Sequence, residues 1–257
     1  MEQPTHSRVT SFDGAELAVA TWGDPHADVP VLLHHGFAAD HASNWVGPGV
    51  VARLRALGRP VVAHDARGHG ASATPHDPAA YEGRAMARDV TALIDALGVE
   101  QVDLAGYSMG GIVSLEVATR EARLRSVVIG GIGGAILDRS LDRSALADAL
   151  VADDPDTITD PMARAFRLFA ESTGADRHAL AAVQRARREP WEGLDRIAVP
   201  ALVLVGDRDP LARDPERLVA AVPGARLAVV PGDHLSTVGH PAFADELVGF
   251  LAEVAAG

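Results

Sequence analysis

The sequence predicts an α/β protein with a mostly parallel eight-stranded sheet, helices on both faces, and one all-helical insertion. Three observations carry that prediction. Short apolar runs alternate with segments of helical period along most of the chain. A serine stands at a sharp strand-to-helix turn in Gly106-Tyr107-Ser108-Met109-Gly110, and between residues 135 and 197 the strand pattern gives way to helical periodicity. The 257 residues are 47% hydrophobic and 23% charged, which suits a single domain with an insertion and a sizeable core. Cysteine is absent, which excludes disulfides, thiolate catalysis and cysteine-based zinc sites. A net charge of −12 argues against nucleic acid or an anionic membrane as partner, because phosphate binding draws on lysine and arginine. No stretch approaches the ~20 apolar residues that span a bilayer, and the polar start Met1-Glu2-Gln3-Pro4 lacks the apolar core of a signal peptide. A soluble cytoplasmic protein, monomer or homodimer, acting on a small molecule is expected.

In chain order, Val9 to Phe12 and Leu17 to Trp22 read as two strands joined through the turn signal Asp13-Gly14. Val29 to Leu33 is an apolar strand that runs into His34-His35-Gly36-Phe37. Val50 to Leu57 has helical period, and Pro60 to Ala63 is the next strand, delivering Asp65-Ala66-Arg67-Gly68-His69-Gly70-Ala71-Ser72. Tyr81 to Leu97 is amphipathic, with Met86, Val90, Leu93, Ile94 and Leu97 on one face and Gly98 as its stop.

Val102, Leu104 and Ala105 then lead into the serine turn, and Ile112, Leu115 and Ala118 continue at helical spacing. A strand that turns directly into a helix brings backbone segments so close that side chains two before and two after the turn residue would collide. Gly106 and Gly110 remove those side chains. The hydroxyl of Ser108 is thereby presented beside the amide of Met109 at the positive end of a helix, which suits a nucleophile beside an oxyanion donor. Leu124 to Ile129 is a further strand, ending in Gly130-Gly131-Ile132-Gly133-Gly134, which lacks the spacing and lysine of a phosphate loop. Helical period follows at Ser140 to Val151, Pro161 to Ser172 and Arg177 to Arg188. Ala201 to Val205 is a continuous apolar run, as in a strand buried on both faces, and Leu227 to Val230 is the last strand before a helix over Phe243 to Val254. Two aspartates, Asp207 and Asp209, follow the first of these strands, and His234 follows the second. His240 is a rival histidine, but its neighbour Pro241 opens the final helix, which favours a surface place.

With these flanks the Gly106 to Gly110 turn resembles the nucleophile elbow of the α/β-hydrolase superfamily, in the branch of serine esterases, non-metal haloperoxidases and carbon–carbon hydrolases. The resemblance extends over about residues 8 to 255. It implies the α/β-hydrolase fold, with residues 1–134 and 198–257 as core and 135–197 as a helical cap over the site. It implies a triad in the order Ser108, Asp209, His234, with Asp209 matching the acid and Asp207 left to pair with Arg208 or Arg213. It places the second oxyanion amide at Phe37, beside that of Met109. The Asp65 to Ser72 segment, similar to one these hydrolases carry after the fourth strand, reads as structural, with Arg67 pairing with Asp65 or binding carbonyls. The histidines there need no metal to explain them, and no metal or cofactor is expected.

What the resemblance implies for activity is a cofactor-independent serine hydrolase cleaving a small carboxylic ester or lactone. Carbon–carbon hydrolysis and perhydrolysis use the same triad, and a receptor or cyclase role occurs on the same fold. Serine rather than aspartate at the elbow disfavours a dehalogenase or epoxide hydrolase. Trp45, Ile136, Phe166, Phe169 and Trp191 are candidates for the pocket wall, with Leu150 and Met162 as further cap positions.

Overall fold

The computed structural model describes residues 2–138 and 143–257. Its eight strands are β1 (Thr5–Thr10), β2 (Glu16–Trp22), β3 (Val31–His34), β4 (Val61–His64), β5 (Val102–Tyr107), β6 (Leu124–Gly130), β7 (Ala201–Gly206) and β8 (Arg226–Val230). They form one sheet in the order β1-β2-β4-β3-β5-β6-β7-β8. β1 and β2 are antiparallel, with Thr10 opposite Glu16, and every pairing from β4 to β8 is parallel.

The chain steps from β3 outward to β4 on one side and then returns to place β5 on the other side of β3. That reversal opens a crevice at the carboxyl ends of β3 and β5, where open α/β sheets bind ligands.

Both faces of the sheet are covered, which is why its strands read as continuous apolar runs. Leu33, Ala63, Ala105 and Leu204 point to one face, against α1 (Val50–Ala56) and α8 (Pro241–Ala256). Leu32, Val62 and Leu104 point to the other, against α2 (Ala85–Leu97) and α3 (Met109–Ala118), while α7 (Pro215–Ala221) packs beside Val203 and Val205.

Between β6 and β7 the described residues hold α4 (Ser144–Val151), α5 (Pro161–Ser172) and α6 (Arg177–Arg185), with short turns and no strand. The start of the helix expected from Ser140 lies outside the described residues. The buried Arg167 ties this layer together: its guanidinium donates to the carbonyls of Ala149 (3.0 Å), Leu150 (3.3 Å) and Ala152 (2.6 Å), a cation at the carboxyl end of α4. α4 and α6 share a hydrophobic cluster with Phe37 and Met109 of the underlying layer, and Phe166 and Phe169 of α5 pack against it.

Several elements differ from expectation. α2 begins at Ala85 rather than Tyr81, because Gly83 and Arg84 both take left-handed backbone (φ 58°), and only a 3-10 turn, Pro78–Tyr81, precedes it. β1 begins earlier and ends at Thr10, so Phe12 lies in the hairpin loop under the Arg88 guanidinium. α6 stops three residues early, and α7 was not anticipated. Among the described residues no helix is long and apolar enough to cross a membrane.

Candidate active site

Ser108 sits between β5 and α3 with φ 54° and ψ −111°, a conformation that costs a residue with a side chain on the order of 1–3 kcal/mol. Its surroundings hold it there. The Ser108 amide donates to the Gly130 carbonyl (2.8 Å), and its carbonyl accepts the Ile112 amide (3.0 Å) as the first helical bond. A Cβ at Gly106 would run into the Gly110 carbonyl, and one at Gly110 into the His34 carbonyl, so both glycines are required by close backbone approach.

Three loops bring side chains from distant sequence to one point. His234, on the loop after β8, has Nε2 2.8 Å from the Ser108 hydroxyl and Nδ1 2.8 Å from the Asp209 carboxylate on the loop after β7. The other Asp209 oxygen accepts the Leu211 amide at 2.8 Å. With Nδ1–H donated to the carboxylate, Nε2 is left as the acceptor facing the serine proton, the tautomer a general base needs. His234 and Asp209 are 7% and 8% exposed, so water competes little for these bonds. Asp207 faces away: it accepts the Gly232 amide (2.8 Å) and lies 3.5 Å from Arg208, and His240 caps α8 through the Ala242 amide (3.2 Å).

Two further residues brace this arrangement: Tyr107, at a position the serine motif leaves free, and Asn44, which belongs to no motif. Tyr107 donates its hydroxyl to the His234 carbonyl (2.6 Å), with the rings 5.4 Å apart. Burial and the nearby carboxylates of Asp209 and Asp233 push its phenol above the ordinary range, so it stays a neutral donor. Asn44 accepts the Gly36 amide (2.9 Å) and fixes the loop that carries Phe37, but nothing in the sequence separates it from its polar neighbours Asp40 and Ser43. Among the described residues no backbone carbonyl outside the helices and strands accepts the amides of Phe37 and Met109; Phe37 lines the crevice beside Ser108, and Met109 follows Ser108 as the first residue of α3.

Of the pocket candidates, Phe166 and Phe169 line the cleft above Ser108 and His234 together with Phe37. Trp45, Ile136 and Trp191 do not. Trp45 is fully buried against Phe243 of α8, and Trp191 donates Nε1–H to the Ile136 carbonyl (3.0 Å) while both pack on the cluster around β7. Leu150 is core, whereas Met162 lines a neighbouring cavity. Arg67 is fully buried and pairs with Asp89 (2.6 Å) and Asp13 (2.7 Å) rather than Asp65, while also donating to the Ala80 carbonyl (2.6 Å). Asp65 instead accepts from His41 (2.7 Å) and from the Ala71 amide (2.8 Å).

Beneath the crevice His34, His35, His64 and His69 are all buried, with rings 4.7 Å apart for His34 and His64 and 5.1 Å for His35 and His69. Among the described residues no group of three or more histidine, aspartate or glutamate side chains is arranged to hold a metal ion. Burial drives all four imidazoles toward the neutral form, from the ordinary 6.5 to about 3 at His64 and His69. Below pH 6.5 the unfolded chain takes up protons that the folded chain refuses, so stability falls as pH drops, by on the order of 1 kcal/mol per pH unit for His64 and for His69. The urea midpoint is therefore expected to fall between about pH 7.5 and about pH 5, above the range where carboxylates titrate; a flat midpoint would contradict this.

The alpha/beta hydrolase fold family model matches residues 29–192. Over 216 residues the chain is 30% identical to the dihydrolipoyllysine-residue acetyltransferase component of an acetoin cleaving system from Pseudomonas putida, covering 80% of this chain and 54% of that protein. It thus spans about half the length of that relative. Over 265 residues it is 25% identical to 3-oxoadipate enol-lactonase 1 of Acinetobacter baylyi, covering 96% of this chain and 97% of the relative. An esterase from Rhodococcus sp. ECU1013 is similar in structure, with a TM-score of 0.77 at 26% identity, covering 97% of this chain and 99% of the other.

Proposed function

The chain belongs to the alpha/beta hydrolase fold family and is a hydrolase, and from that premise we propose that it cleaves a carboxylic ester through an acyl-serine intermediate. The observation that carries this reading is the unbroken line from Ser108 through His234 to Asp209, with both links at 2.8 Å. Ser108 attacks the ester carbonyl while its proton passes to His234 Nε2, and Asp209 stabilises the imidazolium that forms. Negative charge develops on the carbonyl oxygen, and the amides of Phe37 and Met109 take it up. One such donor is worth about 3 kcal/mol in other enzymes. His234 then returns the proton to the departing alkoxide, and water repeats the sequence to free the acid.

Residues 135–197 act as a cap in this reading. α5 sets Phe166 and Phe169 against the cleft, so the helical layer supplies part of the pocket wall above Ser108.

The test is a fluorophosphonate label followed by turnover of p-nitrophenyl esters. Labelling of Ser108 with ester turnover is expected, and Ser108→Ala should lose both, with turnover down by roughly 10⁴-fold or more. Substantial residual turnover in that variant would remove Ser108 as the nucleophile. Labelling without turnover of any ester would move the reading to carbon–carbon hydrolysis.

A further inference from the structure

Two cavities meet at His234, and they differ in which part of the machinery they touch. One, of about 350 Å³, is lined by Gly36, Phe37, Asn44, Tyr107 and Ser108. The other, of about 310 Å³, is lined by Pro161, Met162, Ala165, Pro210 and Asp233. Phe166, Phe169, His234 and Leu235 form the wall they share. Ser108, Gly36 and Phe37 thus belong to the first cavity alone, while His234 opens on both.

The asymmetry has a chemical meaning. In acyl transfer the carbonyl oxygen points at the oxyanion amides, and the acyl chain extends from the carbon bonded to the serine. The histidine must reach the departing oxygen to give it a proton, so the leaving group lies on the histidine's side. We propose that the second cavity is the leaving-group site and takes an uncharged, apolar alcohol, which makes the preferred substrate an open ester with two separate substituents rather than a small lactone. The bond changes are those of the serine reaction: the Ser108 Oγ–acyl bond forms, the acyl–O bond breaks, and the proton held by His234 goes to the alcohol.

Three features of the second cavity fit that occupant. Met162 and Leu235 are 40% and 61% exposed despite their size, and Leu211 beside Pro210 is 36% exposed, so apolar surface stands uncovered around the opening. Phe166 and Phe169 add aromatic side chains to its lining. Among its described lining residues the ionisable side chains are His234 and Asp233. The Ser236 hydroxyl and the amides of Ser236 and Leu235 hold the Asp233 carboxyl below its ordinary range, so a fixed negative charge at the wall repels an anionic alcohol.

This inference rests on the serine-hydrolase reading, and the experiment separates the two. Specificity constants are measured for butyrate esters of methanol, butanol, benzyl alcohol and 4-(hydroxymethyl)benzoate, and for methyl esters from acetate to octanoate. For the wild type, kcat/KM should rise from methyl to benzyl by about tenfold or more and fall back for the carboxylate-bearing alcohol. Ala165→Trp fills the second cavity from the exposed side of α5, so the benzyl-to-methyl ratio should drop by about tenfold while the octanoate-to-acetate ratio holds. Met162→Asp, also at an exposed position, should lower the same ratio by placing a second charge there. A loss confined to the acyl series, or indifference of the wild type to the alcohol, overturns the assignment. Fluorophosphonate labelling of wild-type Ser108 reports separately on the hydrolase reading: labelling with no preference among alcohols sinks this inference alone, and absence of labelling sinks the reading beneath it.

Discussion

Asp209→Asn is expected to lower kcat by on the order of 10⁴-fold with the fold intact, whereas Asp207→Asn stays within about threefold of the wild type. The geometry determines which way the new amide turns. Asp209 Oδ1 accepts the Leu211 amide, so the carbonyl oxygen of an asparagine takes that place and its NH2 group faces His234 Nδ1. Nδ1 must then act as acceptor, which puts the ring proton on Nε2, against Ser108, where a base needs a lone pair. Nothing comparable happens at Asp207, whose carboxylate, among the described residues, meets the Gly232 amide and the Arg208 side chain. Steady-state kinetics on the two variants, with unfolding midpoints to establish that both fold, decide the matter. Equal losses, or the larger loss at Asp207, would reassign the carboxylate and with it the proposed orientation of His234.

That contrast bears on what the sequence discloses. The turn at Ser108 is legible because its requirement is local: two glycines at fixed distances from a serine, a strand before and a helix after. The parallel strands are legible because burial on both faces leaves runs such as Ala201 to Val205 without polar interruption. The choice between Asp207 and Asp209 is not local. Both are charged residues on one loop: the resemblance points to Asp209, but what separates them physically is the fold of a second loop, the one carrying His234.

The same limit explains the pocket. Trp45, Ile136 and Trp191 are large and apolar, as Phe166 and Phe169 are, so composition cannot sort them. What sorts them is the partner each meets: Phe243 for Trp45, the Ile136 carbonyl for Trp191, and open cleft for the two phenylalanines. Arg67 follows the same rule. The near carboxylate, Asp65, is occupied by His41 and a backbone amide, which leaves the guanidinium to the more distant Asp89 and Asp13. The start of α2 was hidden for a different reason. Residues 81 to 84 carry a helical pattern of composition, but the left-handed turn at Gly83 and Arg84 separates Tyr81 from the helix axis.

Gly110→Ala and Gly249→Ala make the same chemical change in two helices and are expected to move stability in opposite directions. In a helix alanine is favoured over glycine by about 1 kcal/mol, because glycine loses more backbone freedom on folding. Gly249 lies inside α8 with nothing within 4 Å of the Cβ position, so that preference acts alone and the variant should gain about 1 kcal/mol. Gly110 lies in the first turn of α3, where the added methyl meets the carbonyls of His34 and His35 at the end of β3. These are backbone atoms of a central strand and cannot swing aside as a flexible side chain would. Relief requires α3 to move off the sheet, carrying the Ser108 hydroxyl and the Met109 amide with it. A loss of about 3 kcal/mol is therefore expected for Gly110→Ala, with a further loss of turnover in whatever fraction remains folded. Urea unfolding of the two variants beside the wild type reads both effects. A neutral or stabilised Gly110→Ala protein would show that α3 and β3 are less tightly apposed than the structure has them, and the strained backbone at Ser108 would then need another support.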